Sequence, residues 1–275
     1  MKIDAHHHFW RYSTDEYGWI GDDMRVIQRD FLPTDLEETL RPLGIGGVVT
    51  VQARQSLEET RWLLDLAQKH ALIKGVVGWL PLASPTISVA LDEFAAKRLL
   101  KGVRHVVQGE ADPAFLEGAA FNAGLRKVTA RGLVYDILIL ARQLPASIAF
   151  VDRHPKQIFV LDHIAKPVVQ GLPDPAWVRN IRDLARRENV YCKFSGVVTE
   201  VPGWQWTPEL LRPYFDVVLQ AFGPARLMFG SDWPVCLVAT EYARWVNFVE
   251  HCAAQLSPAE RAQLFGGTAI QAYQL

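Results

Sequence analysis

The first apolar segment of the chain and the residues after it decide the fold: Lys2-Ile3-Asp4-Ala5-His6-His7-His8-Phe9-Trp10. The segment has the short apolar pattern of a β-strand. In an open doubly wound sheet, a glycine-rich phosphate loop follows the first strand. Here histidines and aromatic residues follow it, and neither GxGxxG nor GxxxxGKS/T is present there. The pattern therefore disfavours a nucleotide-binding open sheet.

The rest of the chain alternates strand-like and helix-like segments. Short, β-branched apolar segments predict eight strands, at residues 2–6, 47–52, 73–80, 102–107, 133–138, 158–163, 190–195 and 227–232. Longer segments with helical periodicity are predicted at residues 56–70, 88–99, 114–130, 140–154, 176–188, 208–222, 242–255 and 258–273. Such alternation is typical of parallel strands joined by right-handed crossovers.

Eight strand–helix units in 275 residues match the usual size of a (β/α)8 TIM barrel, about 250 residues. No Pro-, Gly- and Ser-rich linker divides the chain, so we predict a single domain over residues 1–275. The long connection 9–33 is predicted to be a loop that covers one barrel mouth.

Composition limits the function. The 29 Lys and Arg against 30 Asp and Glu give a formal charge of −1, so we expect no nucleic-acid partner. Three cysteines cannot pair completely, which favours a reducing compartment. The N-terminus lacks the apolar region of a signal peptide, and no apolar run is long enough to span a bilayer. We expect a cytoplasmic protein without membrane association; homo-oligomerisation stays open.

Polar residues at the carboxyl ends of the predicted strands point to an active site, because barrel active sites lie there. His6 and His8 are two residues apart on a strand, so both imidazoles face one side and His7 faces the other. Such a pair suits a divalent metal ion, most often Zn²⁺. The alternative is that the two histidines only hydrogen-bond within a crowded mouth.

Two further groups are predicted to act in chemistry. Asp232 ends the apolar strand eight and would stay ionised near a metal, so it could take a proton from water. The alternative role is a cap on the following helix. His163 ends strand six and could bind metal or donate to a carbonyl; alternatively, Asp162 satisfies it.

Other polar residues at strand ends are predicted to bind substrate: Gln52, Arg54, Trp79, Arg104 and Lys193. Arg104 and His105 are neighbours, so at most one follows the strictly inward direction. Several cations around one mouth suggest a small, polar, carboxylate-bearing or hydroxyl-rich substrate. No GxSxG motif is present, which disfavours a serine hydrolase.

Several stretches resemble the amidohydrolase superfamily, and within it the amidohydrolase-2 group that includes sugar lactonases. The resemblance is carried by residues 3–10, Val51-Gln52-Ala53, Gly102-Val103-Arg104-His105, Leu161-Asp162-His163-Ile164-Ala165-Lys166-Pro167, Lys193-Phe194-Ser195-Gly196 and Phe229-Gly230-Ser231-Asp232-Trp233-Pro234. It implies a (β/α)8 barrel that hydrolyses a lactone. It also implies that His6 and His8 stand at the metal position and that Asp232 activates water.

The chain departs from the two-metal members of that superfamily. Those enzymes use a lysine after strand four or five and a strand-five histidine, whereas strand five here has Tyr135-Asp136. The resemblance therefore implies one divalent metal, bound by His6, His8 and Asp232, or none.

The sequence thus predicts a hydrolase that opens a small sugar-derived or other polar lactone. Asp232 is the expected general base, and His163 with Arg104 or His105 would polarise the carbonyl. Lys193, Gln52 and Arg54 would orient substrate oxygens. Two alternatives stay open: a metal-dependent decarboxylase of aromatic acids, which the same group contains, and a barrel that only binds a sugar acid.

Overall fold

The computed structural model describes all residues, 1–275, and forms a (β/α)8 barrel as one domain. Eight parallel strands neighbour one another in chain order: β1 Lys2–His7, β2 Ile45–Val51, β3 Ile73–Gly78, β4 Leu100–His105, β5 Val134–Ile137, β6 Phe159–Leu161, β7 Val190–Phe194 and β8 Leu227–Phe229. Two backbone hydrogen bonds close the barrel between β1 and the segment after β8. Asp232 N donates to His6 O at 2.8 Å, and His8 N donates to Trp233 O at 2.6 Å. The predicted fold is confirmed.

Ten α-helices accompany the strands: α1 Pro33–Leu40, α2 Leu57–Lys69, α3 Ile87–Glu93, α4 Ala119–Ala130, α5 Leu144–Asp152, α6 Pro175–Leu184, α7 Pro208–Phe222, α8 Tyr242–Cys252, α9 Pro258–Ala262 and α10 Thr268–Tyr273. The helical periodicity of the sequence does not predict α1, although Pro33 at its start and the Asp35 carboxylate, which accepts the Leu32 N–H at 2.8 Å, are start signals. None of the ten helices combines the length and the hydrophobicity that a membrane-spanning helix needs.

The single helix predicted at 258–273 is wrong, because a wide turn at Gln263–Gly267 separates α9 from α10. The turn exists because Gly266 packs against the N-terminus. A Cβ at Gly266 would lie 2.2 Å from the Met1 carbonyl oxygen, so only glycine allows this approach. The break lets α10 fold under the barrel.

Two apolar clusters fill the fold. The larger lies between strands and helices, and the smaller lies inside the barrel. The inner cluster contains Val134, Val160, Tyr191 and Met228 from four successive strands, together with Tyr273 of α10. These side chains close the barrel floor, so the open end lies at the carboxyl ends of the strands.

Candidate active site

Three acceptor atoms converge at the carboxyl end of the barrel. His6 Nε2 and His8 Nε2 lie 3.3 Å apart. Asp232 Oδ1 is 3.3 Å from His8 Nε2 and 3.7 Å from His6 Nε2. All three side chains are buried. The structure therefore brings together the three residues that the sequence predicts as a metal-binding set.

A β-bulge in β1 aims the histidines into the barrel. Asp4 pairs with Val48 and His7 pairs with Thr50, so β1 has one residue more than β2 between these positions. Strict alternation from the inward-facing Ala5 would turn His6 outward. The extra residue reverses the alternation, as bulges do near active sites.

The two imidazoles present lone pairs to the same point. His8 Nδ1 lies 2.8 Å from the Val51 carbonyl oxygen, so Nδ1 carries the proton and Nε2 is an acceptor. At His6, Nε2 faces Arg104 Nη1, which can only donate, at 3.3 Å, and Nδ1 faces the Asp162 Oδ1 acceptor at 3.3 Å, so the Arg104 and Asp162 contacts favour the same tautomer. Burial lowers the pKa of His6 well below its ordinary value, so the ring is neutral.

This donor set fits a divalent cation. Two imidazole lone pairs and a carboxylate oxygen meet without a proton between them, which is the ligand chemistry of zinc and similar ions. Beneath the three acceptors, the cations of Arg104 and Lys193 pair with the carboxylates of Asp136 and Asp162, whereas the Asp232 carboxylate faces only histidines and keeps its negative charge. A bound cation would compensate this charge.

Asp232 is held as an anion. Strand β8 ends at Phe229, earlier than predicted, and Asp232 adopts a left-handed backbone with φ 60°. Burial would raise the pKa of Asp232, but attraction to the neighbouring imidazole of His163, with smaller contributions from those of His6 and His8, outweighs it and holds the pKa well below its ordinary value.

His163 stands on a left-handed turn instead of a strand. Strand β6 ends at Leu161, and all four residues His163–Lys166 have positive φ, between 45° and 62°. Each such residue costs roughly 1–2 kcal/mol in an L-chain. The Trp177 indole, which donates to Ile164 O at 2.9 Å, helps to hold the turn. Asp162 and His163 consequently both reach the site, although they are adjacent.

Ser195, and not Asp162, satisfies His163. Ser195 Oγ lies 3.0 Å from His163 Nδ1, and Gly196 leaves the space, because a Cβ there would be 2.3 Å from Nδ1. Burial lowers the pKa of His163 to about 4, so the ring is neutral at pH 7. Its Nε2 lies 3.9 Å from Asp232 Oδ1, which favours a proton on Nε2.

A buried ionic layer lies beneath His6. Lys193 Nζ is 2.5 Å from Asp136 Oδ2, 2.9 Å from Asp162 Oδ1 and 3.2 Å from His6 Nδ1. Arg104 donates to Asp162 Oδ2 at 2.9 Å. From below, the Tyr273 hydroxyl donates to the Asp136 carboxylate at 2.8 Å. The C-terminal helix therefore contacts the layer that supports the site.

A cavity of about 520 Å³ opens above the three acceptors. Among the predicted site residues, those that line it are His8, Arg54, Arg104, His163 and Asp232. Glu16 and Trp19 also line it, so part of the connection 9–33 lies at the mouth, where the loop is predicted. Arg54 is paired with Glu16 at 2.9 Å, so this cation is not free in the structure.

The structure does not bring the other predicted residues to the cavity. His105 faces away from the acceptor cluster: its Nε2 lies 2.6 Å from Glu110 Oε1, and its ring stacks on Phe115. Trp79 contacts His105 through its indole nitrogen at 3.4 Å. Gln52 is buried behind Arg104, and Lys193 lies under His6.

Sequence reasoning missed several residues of this site. Asp162, Tyr273 and Asp4 hold the groups above, and Lys166 lines the cavity. The position of Asp162 at a strand end was an available signal. No local pattern marks Tyr273 or Asp4, because the side chains that they bind lie more than 100 residues away.

Glu59 shapes the cavity wall and should make stability depend on pH. Its Oε2 accepts the N–H groups of Ala53 and Arg54, at 3.1 and 2.8 Å, and burial raises its pKa to about 7. Between pH 4.5 and 7 the unfolded chain loses a proton that the folded chain keeps, so stability falls as pH rises. We expect Glu59→Gln to remove this loss, roughly 3 kcal/mol at most.

Urea unfolding of the parent and Glu59→Gln at pH 4.5 and pH 8 measures this effect. The variant should gain relative stability at the higher pH. Glu58→Gln is the matched control, because Glu58 is the exposed neighbour on the same helix. Equal pH responses of Glu59→Gln and the parent would contradict the assignment.

The chain belongs to the amidohydrolase family, whose model matches residues 3–275. It is 42% identical to the L-fucono-1,5-lactonase of Burkholderia multivorans, covering 100% of this chain and 96% of the relative. It is 36% identical to the L-fucono-1,5-lactonase of Burkholderia ambifaria, with 100% and 96% covered. A crystal structure of an amidohydrolase from Burkholderia multivorans with bound zinc superposes with a TM-score of 0.96 at 42% identity, covering 100% of this chain and 99% of that chain.

Proposed function

We propose that this protein hydrolyses a small sugar-derived lactone, with residues 1–275 acting as one unit and Asp232 as the general base. The observation that most directly supports this proposal is that His6 Nε2, His8 Nε2 and Asp232 Oδ1 converge under a cavity of about 520 Å³. Full-length similarity to two L-fucono-1,5-lactonases supports the reaction class and makes L-fucono-1,5-lactone the first substrate to test.

A metal ion would be held by His6, His8 and Asp232. Zinc is the candidate, because the donor set suits it and the similar Burkholderia multivorans structure contains it. When bound, the ion would lower the pKa of a coordinated water and polarise a carbonyl.

The chain's own residues carry the proton transfers. Ionised Asp232 takes a proton from the attacking water, whose oxygen bonds to the lactone carbonyl carbon. The Arg104 guanidinium and the neutral His163 Nε2–H stabilise the negative charge that develops on the carbonyl oxygen. As the ring C–O bond breaks, Asp232 returns its proton to the leaving alkoxide oxygen, and the hydroxy acid is released.

The cavity wall suits a partly polar substrate. Arg54, Gln55, Ser56, Gln108 and Lys166 offer hydrogen bonds to hydroxyl groups. Ala53, Val106, Leu138 and Val235 add apolar surface to the lining. A sugar lactone presents both kinds of surface and fits this volume.

Metal removal tests the proposal. The purified protein should contain about one equivalent of zinc and release acid from L-fucono-1,5-lactone, followed with a pH indicator. A strong chelator should abolish most turnover, and added zinc should restore it, because the ion supplies activation of water. Acid release that is insensitive to chelator would contradict the metal role. Release of CO2 from an aromatic acid without lactone opening would contradict the reaction.

A further inference from the structure

A buried carboxylate outside the cavity joins the two elements that carry the metal-binding groups. Asp4 lies in β1, is fully buried, and does not line the cavity. Its Oδ1 accepts the backbone N–H of His6 at 3.1 Å and that of Ser231 at 2.9 Å. Its Oδ2 accepts the Ser231 hydroxyl at 2.5 Å and the Tyr242 hydroxyl at 2.8 Å. The four hydrogen bonds satisfy the carboxylate completely.

The two oxygens of Asp4 have different partners. Oδ1 binds the backbone of His6 and of the residue directly before Asp232, so it sets the spacing of two of the three acceptors. Oδ2 binds hydroxyl groups, one of them on α8, and ties the strand to the surrounding helices. Mutations can therefore remove a hydrogen bond of Oδ2 while the two hydrogen bonds of Oδ1 remain.

The barrel depends on this link because its closing seam has few other bonds. Between β1 and the segment after β8, the backbone bonds are Asp232 N to His6 O and His8 N to Trp233 O. The bulge in β1 leaves the His6 N–H outside the ladder, and Asp4 accepts it. A shift of the seam would therefore change the 3.7 Å separation of His6 Nε2 and Asp232 Oδ1.

We propose that Asp4 is a positioning residue that sets the geometry of the His6–Asp232 pair across the barrel seam. The inference rests on the metal site of the proposed function. Asp4 does not touch the ion or the substrate; it acts through the backbone of the residues that do. Loss of such outer partners typically weakens metal binding by about 10- to 100-fold.

Zinc affinity, measured by competition with a chromophoric chelator, tests this role without any turnover. Asp4→Ala should bind zinc about 10- to 100-fold more weakly than the parent. Tyr242→Phe is the matched control, because it removes one buried hydrogen bond from Oδ2 and keeps both bonds to Oδ1. It should lower thermal stability but leave zinc affinity within about twofold. Asp4→Asn keeps one side-chain oxygen but loses the charge. Its zinc affinity should lie between those of Asp4→Ala and Tyr242→Phe.

A cobalt-substituted sample gives a second readout. Asp4→Ala should change the visible d–d spectrum of bound Co²⁺, because the ligand geometry changes, whereas Tyr242→Phe should keep the parent spectrum. Equal zinc affinities of Asp4→Ala and Tyr242→Phe would overturn the inference. If Asp4→Ala does not fold, Asp4→Asn decides: zinc affinity equal to that of Tyr242→Phe overturns the inference, and a weaker affinity supports it.

The parent protein separates this inference from the proposed function. Zinc binding by the parent without lactone turnover would refute the function and leave the Asp4 comparison valid. Lactone turnover with unchanged zinc affinity in the Asp4 variants would refute the inference alone. A parent that binds no zinc would overturn the inference together with the metal site.

Discussion

Asp232→Asn should leave the barrel folded and reduce kcat for lactone hydrolysis by roughly a thousandfold, within the range that general bases contribute. The carboxylate lies 3.3 Å from His8 Nε2 and is held ionised in a buried position. An asparagine amide cannot accept the proton from water, and it lacks the charge that helps to hold a cation. The measurement is kcat on a sugar lactone with zinc added to saturation, together with zinc content.

Saturating zinc separates the two roles of Asp232. If the variant contains zinc and is still inactive, the lost function is proton transfer. Asp216→Asn is the control, because Asp216 is an acidic residue of α7 that pairs with Arg212 at 2.7 Å, on the surface. That variant should retain parental kcat. Near-parental turnover by Asp232→Asn would rule out the proposed mechanism.

Lys193→Met should lower the free energy of unfolding by about 3–5 kcal/mol, the usual cost of removing one partner of a buried ion pair. Lys193, Asp136 and Asp162 are all fully buried, and the ammonium is the shared partner of both carboxylates. Methionine fills a similar volume but leaves like charges facing each other. Urea unfolding at pH 7.5 measures the loss.

Two further variants test this explanation. Lys2→Met removes the Lys2–Glu250 pair, which is about one-third exposed on both sides, and should cost less than about 1 kcal/mol. Lys193→Met combined with Asp136→Asn should recover part of the lost stability, because one unpaired charge is gone. Unfolding midpoints that are the same for Lys193→Met and Lys2→Met would contradict a buried charge network.

The convergence of His6, His8 and Asp232 could be predicted from the sequence because it follows from the barrel topology and not from any detail of this chain. Parallel strands in a barrel bring all carboxyl ends to one side, so residues far apart in the chain meet there. For the neighbours Arg104 and His105, the topology does not predict which side chain faces the cavity. Both are the last residues of β4, and only the packing of His105 against Glu110 and Phe115 shows that Arg104 alone faces the cavity.

The predicted substrate contact of Lys193 shows a second limit. The sequence placed its cation at a strand end, and the structure places it in a closed layer beneath His6, between Asp136 and Asp162. The depth of a side chain in the barrel depends on where each strand ends. Strands β6 and β8 end earlier than predicted, since left-handed turns follow them.

By itself, the sequence determined the barrel, its eight strands and the side of it that carries the polar groups, because strand periodicity and strand–helix alternation are local properties of the chain. Tertiary structure alone decided which neighbouring side chain faces inward. The bulge that turns His6 inward, the left-handed turn at His163 and the support from Asp4 and Tyr273 all depend on contacts with distant segments. Such contacts override the alternation that a single strand would follow, so no local pattern could predict them.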